Sequence, residues 1–315
     1  MNIERYIVFL RVAEAGSITA AAQQLGYTQS GISHVVNGLE EEFGFRLLIR
    51  QKTGVELTEE AKMLLEPMQE VVNHNESLIQ LAGSISGVTF GVVRVGAFSS
   101  VTVHWIPDII SVFQKQFPMV KVQLMNDTYS SIEKAILAGQ IDCGFISQAA
   151  QNDLSFTPLY TDPLIAVIPK NHPLSRKKHV PLTALLNEPF ILPCIGANYD
   201  IDNLLRSGSA VHNIRFAPND DFAAISMVEH GLGISIMPEL MLQGQHSKVC
   251  CVKIDPTQLR TIGIATRTEK HVSPACRAFL RCVQDWVADH YEQSEETGQL
   301  LSFGQPLETP RSKQS

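Results

Sequence analysis

Residues 16–50 read GSITAAAQQLGYTQSGISHVVNGLEEEFGFRLLIR, and residues 51–57 continue QKTGVEL. Two helical patterns flank a tight turn, Gly26-Tyr27-Thr28. Ser17 and Thr28 each precede one pattern and can cap it, because a side-chain oxygen there accepts from a backbone N–H that the helix leaves open. The first helix is alanine-rich, which permits close approach of a neighbour. The second carries an apolar stripe of Ile32, Val35, Val36, Leu39 and Phe43. Its other face shows Gln29, Ser30, Ser33, His34 and Asn37. Such a short, polar face with little charge suits contact with base edges in a major groove. A plain helical hairpin is the weaker alternative.

Upstream, Ile3, Tyr6, Ile7, Leu10 and Ala13 mark a backing helix. Downstream, Leu47–Arg50 and Val55–Leu57 flank Gly54 as a hairpin, which completes a winged helix over residues 1–58. The chain has a net charge of −7, so DNA attraction must come from local placement of charge. Arg46, Arg50 and Lys52, with Thr53, gather after the second helix, where a wing reaches a phosphate backbone.

Thr58-Glu59-Glu60 opens a long helix over residues 59–84. Leu65, Met68, Val72, Asn75 and Ile79 form a heptad seam, which predicts a dimerisation helix with Asn75 fixing register. Leu64, Val71 and Leu78 repeat at seven beside the seam. Pro67 predicts a kink or a locally loosened turn. A hinge linker at 85–91 precedes two βαβαβ patterns within residues 92–292. Lobe I covers about 92–162 and 266–292, and lobe II about 169–260. Leu164–Ile168 and Thr261–Ala265 cross between them. One helix is expected over Val101–Phe117, and another over Pro274–Tyr291. Residues 293–315 lack periodicity and read as a disordered tail.

No run of eighteen apolar residues predicts a membrane span, and the N-terminus lacks secretory features, so a cytoplasmic protein is expected. The six cysteines form no CxxC, and no metal or cofactor site is indicated. Nor is there a phosphate loop, an HExxH or an ordered nucleophile triad, so an enzyme is not expected.

Ala13–Ala22, Leu25, Gln29-Ser30, Leu39-Glu40, Phe45–Leu48 and Leu57-Thr58 together resemble the LysR-type transcriptional regulators. Further marks are Phe117-Pro118, Gly139–Asp142, His172–Leu174 and Gly231–Ile234. The resemblance covers about residues 1–291. It implies a winged helix-turn-helix, a long linker helix and a two-lobed effector domain shaped like periplasmic binding proteins. It implies double-stranded operator DNA as partner, a homodimer or homotetramer, a small-molecule effector and contact with RNA polymerase. DNA contacts then fall on Ser17, Gln29, Ser30, Ser33, His34, Asn37, Arg50, Lys52 and Thr53. Cleft residues of the family map onto Ser99, Ser100, Thr128, Ser147, Cys194 and Phe222, at or near the carboxyl ends of strands where α/β sheets bind ligands. Ser30 departs from a common proline, His34 from a common basic residue and Glu60 from a common glycine. No arginine lies on the carboxyl-end loops, and Asp220 and Asp221 add negative charge, which disfavours a dicarboxylate ligand. Two rival readings are a thiol redox sensor using Cys194 and a non-regulatory binding protein or enzyme on the two-lobed domain.

Overall fold

The computed structural model describes residues 2–51, 54–87, 89–148, 154–193, 199–207, 213–244, 248–267 and 272–296. Helices α1 (Ile3–Ala15), α2 (Ile18–Leu25) and α3 (Gln29–Phe43) enclose Phe9, Val12, Ala21, Ile32 and Leu39. Burying a side chain such as Phe9 stabilises by about 1.5–3 kcal/mol. Both expected caps form: Ser17 Oγ accepts from the Ala20 N–H at 3.3 Å, and Thr28 Oγ1 from the Gly31 N–H at 3.1 Å. Strands β1 (Leu48–Gln51) and β2 (Gly54–Leu57) make the antiparallel wing. A Cβ on Gly54, at φ 149°, would lie 2.5 Å from the Gly16 carbonyl oxygen. Only glycine fits where the wing meets the α1–α2 corner.

Helix α4 (Glu59–Ile85) starts at its Thr58 cap and runs unbroken through Pro67. The expected seam is divided by packing. Met68 and Val72 are buried with Ala61 in the core of their own winged helix. Leu65 and Asn75 are half-buried and Ile79 is exposed. A neighbouring heptad stays open instead: Val71 is 48% exposed, Leu78 65% and Ile85 80%. The reason is that α4 packs on α1, so one stripe serves the chain's own core. Polar contacts join α4 to the C-terminal α/β region. Arg94 meets Glu76 through two bonds of 2.9 and 3.1 Å, Arg267 meets Glu66 and Glu70 at 2.7 Å each, and Asn73 Nδ2 donates to the Gly139 carbonyl at 2.8 Å.

Lobe I contains β3 (Gly91–Ala97), α5 (Ser99–His104), α6 (Ile106–Gln116), β4 (Val120–Asn126), α7 (Tyr129–Leu137) and β5 (Cys143–Ser147). The single helix expected over Val101–Phe117 is two, divided at Trp105, with Pro107 in the first turn of α6. Proline fits there because first-turn N–H groups have no helical acceptor. Strand β6 (Ser155–Pro169) leads to lobe II: β7 (His179–Pro181), α8 (Leu182–Leu185), β8 (Phe190–Ile191), α9 (Tyr199–Ser207), β9 (Ile214–Phe216), α10 (Asp221–Glu229), β10 (Ser235–Pro238) and α11 (Glu239–Leu242). Strand β11 (Val249–Thr266) returns, and α12 (Pro274–Glu296) packs on lobe I. α12 extends beyond the expected Tyr291; residues 297–315 of the expected tail lie outside the described residues.

Strand β3 pairs parallel with β4 and β5, and β8 with β9, as the βαβαβ patterns predict. The crossing strands β6 and β11 pair antiparallel along both lobes, with a register shift between Lys253 and Gln258. In lobe II, Leu164, Ala166 and Ile168 face one apolar layer, and Ile165 and Val167 the other. Burial on both faces explains why this stretch is continuously apolar rather than alternating.

Candidate DNA-reading face and effector cleft

Gln29, Ser30, His34 and Asn37 are exposed on α3, and Ser33 is half-buried among them. Ser17 is half-buried and its side chain serves as a cap. Ser30 Oγ lies 3.1 Å from Thr28 Oγ1. Arg50 is exposed on β1, while Lys52 and Thr53 lie outside the described residues. Arg5, Arg11 and Arg46 pair with Glu42, Glu14 and Glu40. Arg50 is the arginine of residues 2–51 left without a carboxylate partner among the described residues. Sequence reading missed Glu40, which is buried at the end of α3. Its Oε1 accepts from the Leu47 and Leu48 N–H groups at 2.7 and 3.1 Å, so it fastens the wing to the recognition helix.

A second site lies between the lobes. A cavity of about 260 Å³ is walled by the starts of α5 and α7 on one side, and by Pro193, Asn219 and Asp221 on the other. Ser99, Ser100 and Thr128 line it, as expected. Thr128 also caps α7, with its Oγ1 accepting from the Ser131 N–H at 3.3 Å. Ser147 is fully buried and donates to Asp200 Oδ1 at 2.8 Å, which joins β5 of lobe I to α9 of lobe II. Cys194 lies outside the described residues. Phe222 is 43% exposed and is not part of the lining. Asp220 caps α10, and the first turn then directs Asp221 to the cleft and Phe222 to solvent.

The cleft does hold an arginine, supplied by a crossing strand rather than a loop. Arg260 of β11 is buried, with its guanidinium 5.0 Å from the Phe98 ring. It donates to Asp162 Oδ2 at 2.8 and 2.6 Å, to Tyr129 Oη at 2.7 Å and to Ser100 Oγ at 2.9 Å. The remaining Asp162 oxygen accepts from the Leu240 N–H at 3.0 Å. Burial pushes the Arg260 pKa down, but Tyr129 and Asp162 outweigh it and raise it above its ordinary value. Burial raises Asp200 and Asp221 above the usual carboxylate value, with Arg260 partly opposing this for each. The signal was an arginine inside a strand, with an aspartate on the strand that returns beside it. Their pairing needed the register of two segments far apart in sequence.

Among the described thiols, Cys143 and Cys276 are buried beside each other. The contact with Cys276 and burial raise the Cys143 pKa well above the ordinary value, and burial lifts Cys251 to about 12. Protonated, buried thiols are poor nucleophiles toward peroxide.

The arrangement of winged helix, linker helix and two-lobed cleft defines a ligand-responsive DNA-binding regulator. Residues 3–62 match the family model of the bacterial regulatory helix-turn-helix protein, lysR family, and residues 86–288 match the LysR substrate binding domain. The chain belongs to the LysR family of transcriptional regulators, DNA-binding proteins with an effector-binding domain and not enzymes. It is 27% identical over 288 residues to the uncharacterized HTH-type transcriptional regulator YvbU of Bacillus subtilis, spanning 90% of this chain and 98% of that one. It is 26% identical to the HTH-type transcriptional regulator AlsR of the same organism, over 89% of this chain and 94% of that one. Full-length OxyR from Pseudomonas aeruginosa has the same fold, with a TM-score of 0.71 and 20% identity over 91% of this chain and 97% of that one. Full-length CbnR complexed with its target DNA gives 0.62 at 22% identity, over 90% and 99% of the two chains. No described helix is long and apolar enough to cross a membrane.

Proposed function

We propose that this regulator works in the cytoplasm as a homo-oligomer, a dimer or a pair of dimers, whose operator binding or promoter activation responds to a small effector held between the lobes. The carrying observation is the cleft between Ser99, Ser100 and Thr128 of lobe I and Asp221 of lobe II. A ligand touching both walls can favour one lobe arrangement, and α4 is bonded to lobe I through Glu76, Glu66, Glu70 and Asn73. A preference of about 1–3 kcal/mol is the usual size of such coupling. The DNA-contacting set is Gln29, Ser30, Ser33, His34 and Asn37 on α3, Arg50 on the wing with Lys52 and Thr53 following it in sequence, and Ser17 at the cap of α2. The open heptad Val71, Leu78 and Ile85, flanked by Ile79 and Leu81, supports self-association through α4.

The test is a reporter on the native promoter, challenged with a metabolite library, comparing wild type with Ser99→Trp. The indole would fill the cleft. Retained operator binding with lost response is the expected result. A full response in the filled variant would place the effector elsewhere.

A further inference from the structure

The chemistry of the cleft walls restricts what the effector can be, given the reading of the cleft as effector site. Arg260 is the one cation among the described residues that line the cavity. A guanidinium has five N–H groups. Four of these are taken by Asp162, Tyr129 and Ser100. Its charge is met by Asp162 inside the fold, so it has little left for an anionic ligand.

The carboxylates on the walls are different. Asp221 is on lobe II and Asp127 on lobe I, and both face the same cavity. Neither has an ion-pair partner among the described residues. Asp127 accepts only the Thr128 N–H, at 2.7 Å, among the described residues. Asp221 is half-buried and accepts no hydrogen bond from a described residue. Asp200, which is not part of the lining, has a buried Oδ2 that is unpartnered among the described residues. Removing a carboxylate from water without a counter-charge is costly, and an incoming cation relieves that cost at Asp221, while the exposed Asp127 adds negative charge at the rim. An anion would meet two uncompensated negative walls. Ser100 completes the pattern: its oxygen already accepts from Arg260, so its own O–H is left to donate to a ligand acceptor.

We propose that the cleft takes a small amine-bearing effector, cationic or zwitterionic, whose protonated nitrogen bridges Asp221 and Asp127 from opposite lobes while Ser100 donates to an oxygen or second heteroatom. Bridging the two lobes is also what would draw them together.

The test uses the full-length protein and four probes: putrescine, L-ornithine, succinate and butyrate. Binding is read by titration calorimetry and by the thermal midpoint. Putrescine or L-ornithine raises the midpoint, and the two acids do not. Asp221→Asn and Asp127→Asn each weaken amine binding about tenfold or more, the size of a lost charged hydrogen bond. Binding of succinate or butyrate that Ser99→Trp blocks would overturn the amine class while leaving the cleft as effector site. Amine binding unchanged in both aspartate variants would overturn the proposal. Silence toward all four probes would also overturn it, and the Ser99→Trp reporter would then decide the cleft reading by itself.

Discussion

Arg260 and Asp162 stand directly opposite each other on β11 and β6, and their side chains close at 2.6 Å where the crossing strands pass between the lobes. The pair has two consequences. It braces α5 and α7 through Ser100 and Tyr129, and it occupies four of the five N–H groups of the cavity's arginine. A buried pair of this kind costs much more to break than to replace as a unit. Asp162→Ala is therefore expected to destabilise the effector domain by about 3–5 kcal/mol, with Arg260 left charged and buried. The double change Arg260→Met with Asp162→Leu should recover most of that loss. Denaturant melts of the three proteins check this, and equal losses in the single and double variants would contradict it.

On the DNA side, Gln29→Ala should cost about 1–3 kcal/mol and relax specificity at one operator position, as expected for a lost base-edge contact. Arg50→Ala should weaken all sequences alike and lower the salt dependence, because it removes a phosphate contact. Titrations on operator and scrambled DNA at several salt concentrations separate the two effects. Wild-type binding by both variants would remove this face from the interface.

The open heptad on α4 makes a further separation. Val71→Asp with Leu78→Asp should yield monomers by sedimentation and abolish tight operator binding, because two half-sites would no longer be linked. Met68→Ala should instead lower stability by about 2–5 kcal/mol, since it opens a cavity in the winged-helix core, and leave assembly intact. A dimeric double-aspartate variant would move the interface off this stripe.

The contrast between Met68 and Val71 shows where sequence periodicity stops. Two heptads run side by side along α4, and both are apolar apart from Asn75. Periodicity located the helix, its Thr58 cap and its length, but which stripe is open depends on α1, nearly sixty residues earlier. The winged helix was legible down to its N-terminal caps because Ser17 and Thr28 act locally. The cleft was legible in part. Ser99, Ser100 and Thr128 follow from the rule that ligands sit at carboxyl ends of strands. Arg260 and Asp162 break that rule, since they arise from the cross-strand register of two crossing strands 98 positions apart. Phe222 and Asp221 differ by a single residue, and one step of a helix turns a side chain by about 100°, from cleft to solvent. Glu40 is the first of three successive glutamates in the sequence, and only the wing's return reveals its two backbone donors.

The final prediction concerns Asp221 in the absence of ligand. Burial raises its pKa in the fold, Asp220 adds to this, and Arg260 partly opposes it. The unfolded chain ionises at the ordinary aspartate value, so between the two pKa values the folded protein binds more protons than the unfolded one. Stability then falls as pH rises through that window, and above it the folded state carries the full penalty. Asparagine has the same shape and no charge to desolvate. Asp221→Asn should accordingly have a higher thermal midpoint than wild type at neutral pH. The difference should shrink as pH drops below the ordinary aspartate range, where wild-type Asp221 is protonated in both states. Midpoints of the two proteins across an acid-to-neutral series check the sign. A midpoint lowered by the substitution at neutral pH would mean that Asp221 already has a cationic partner in the free protein.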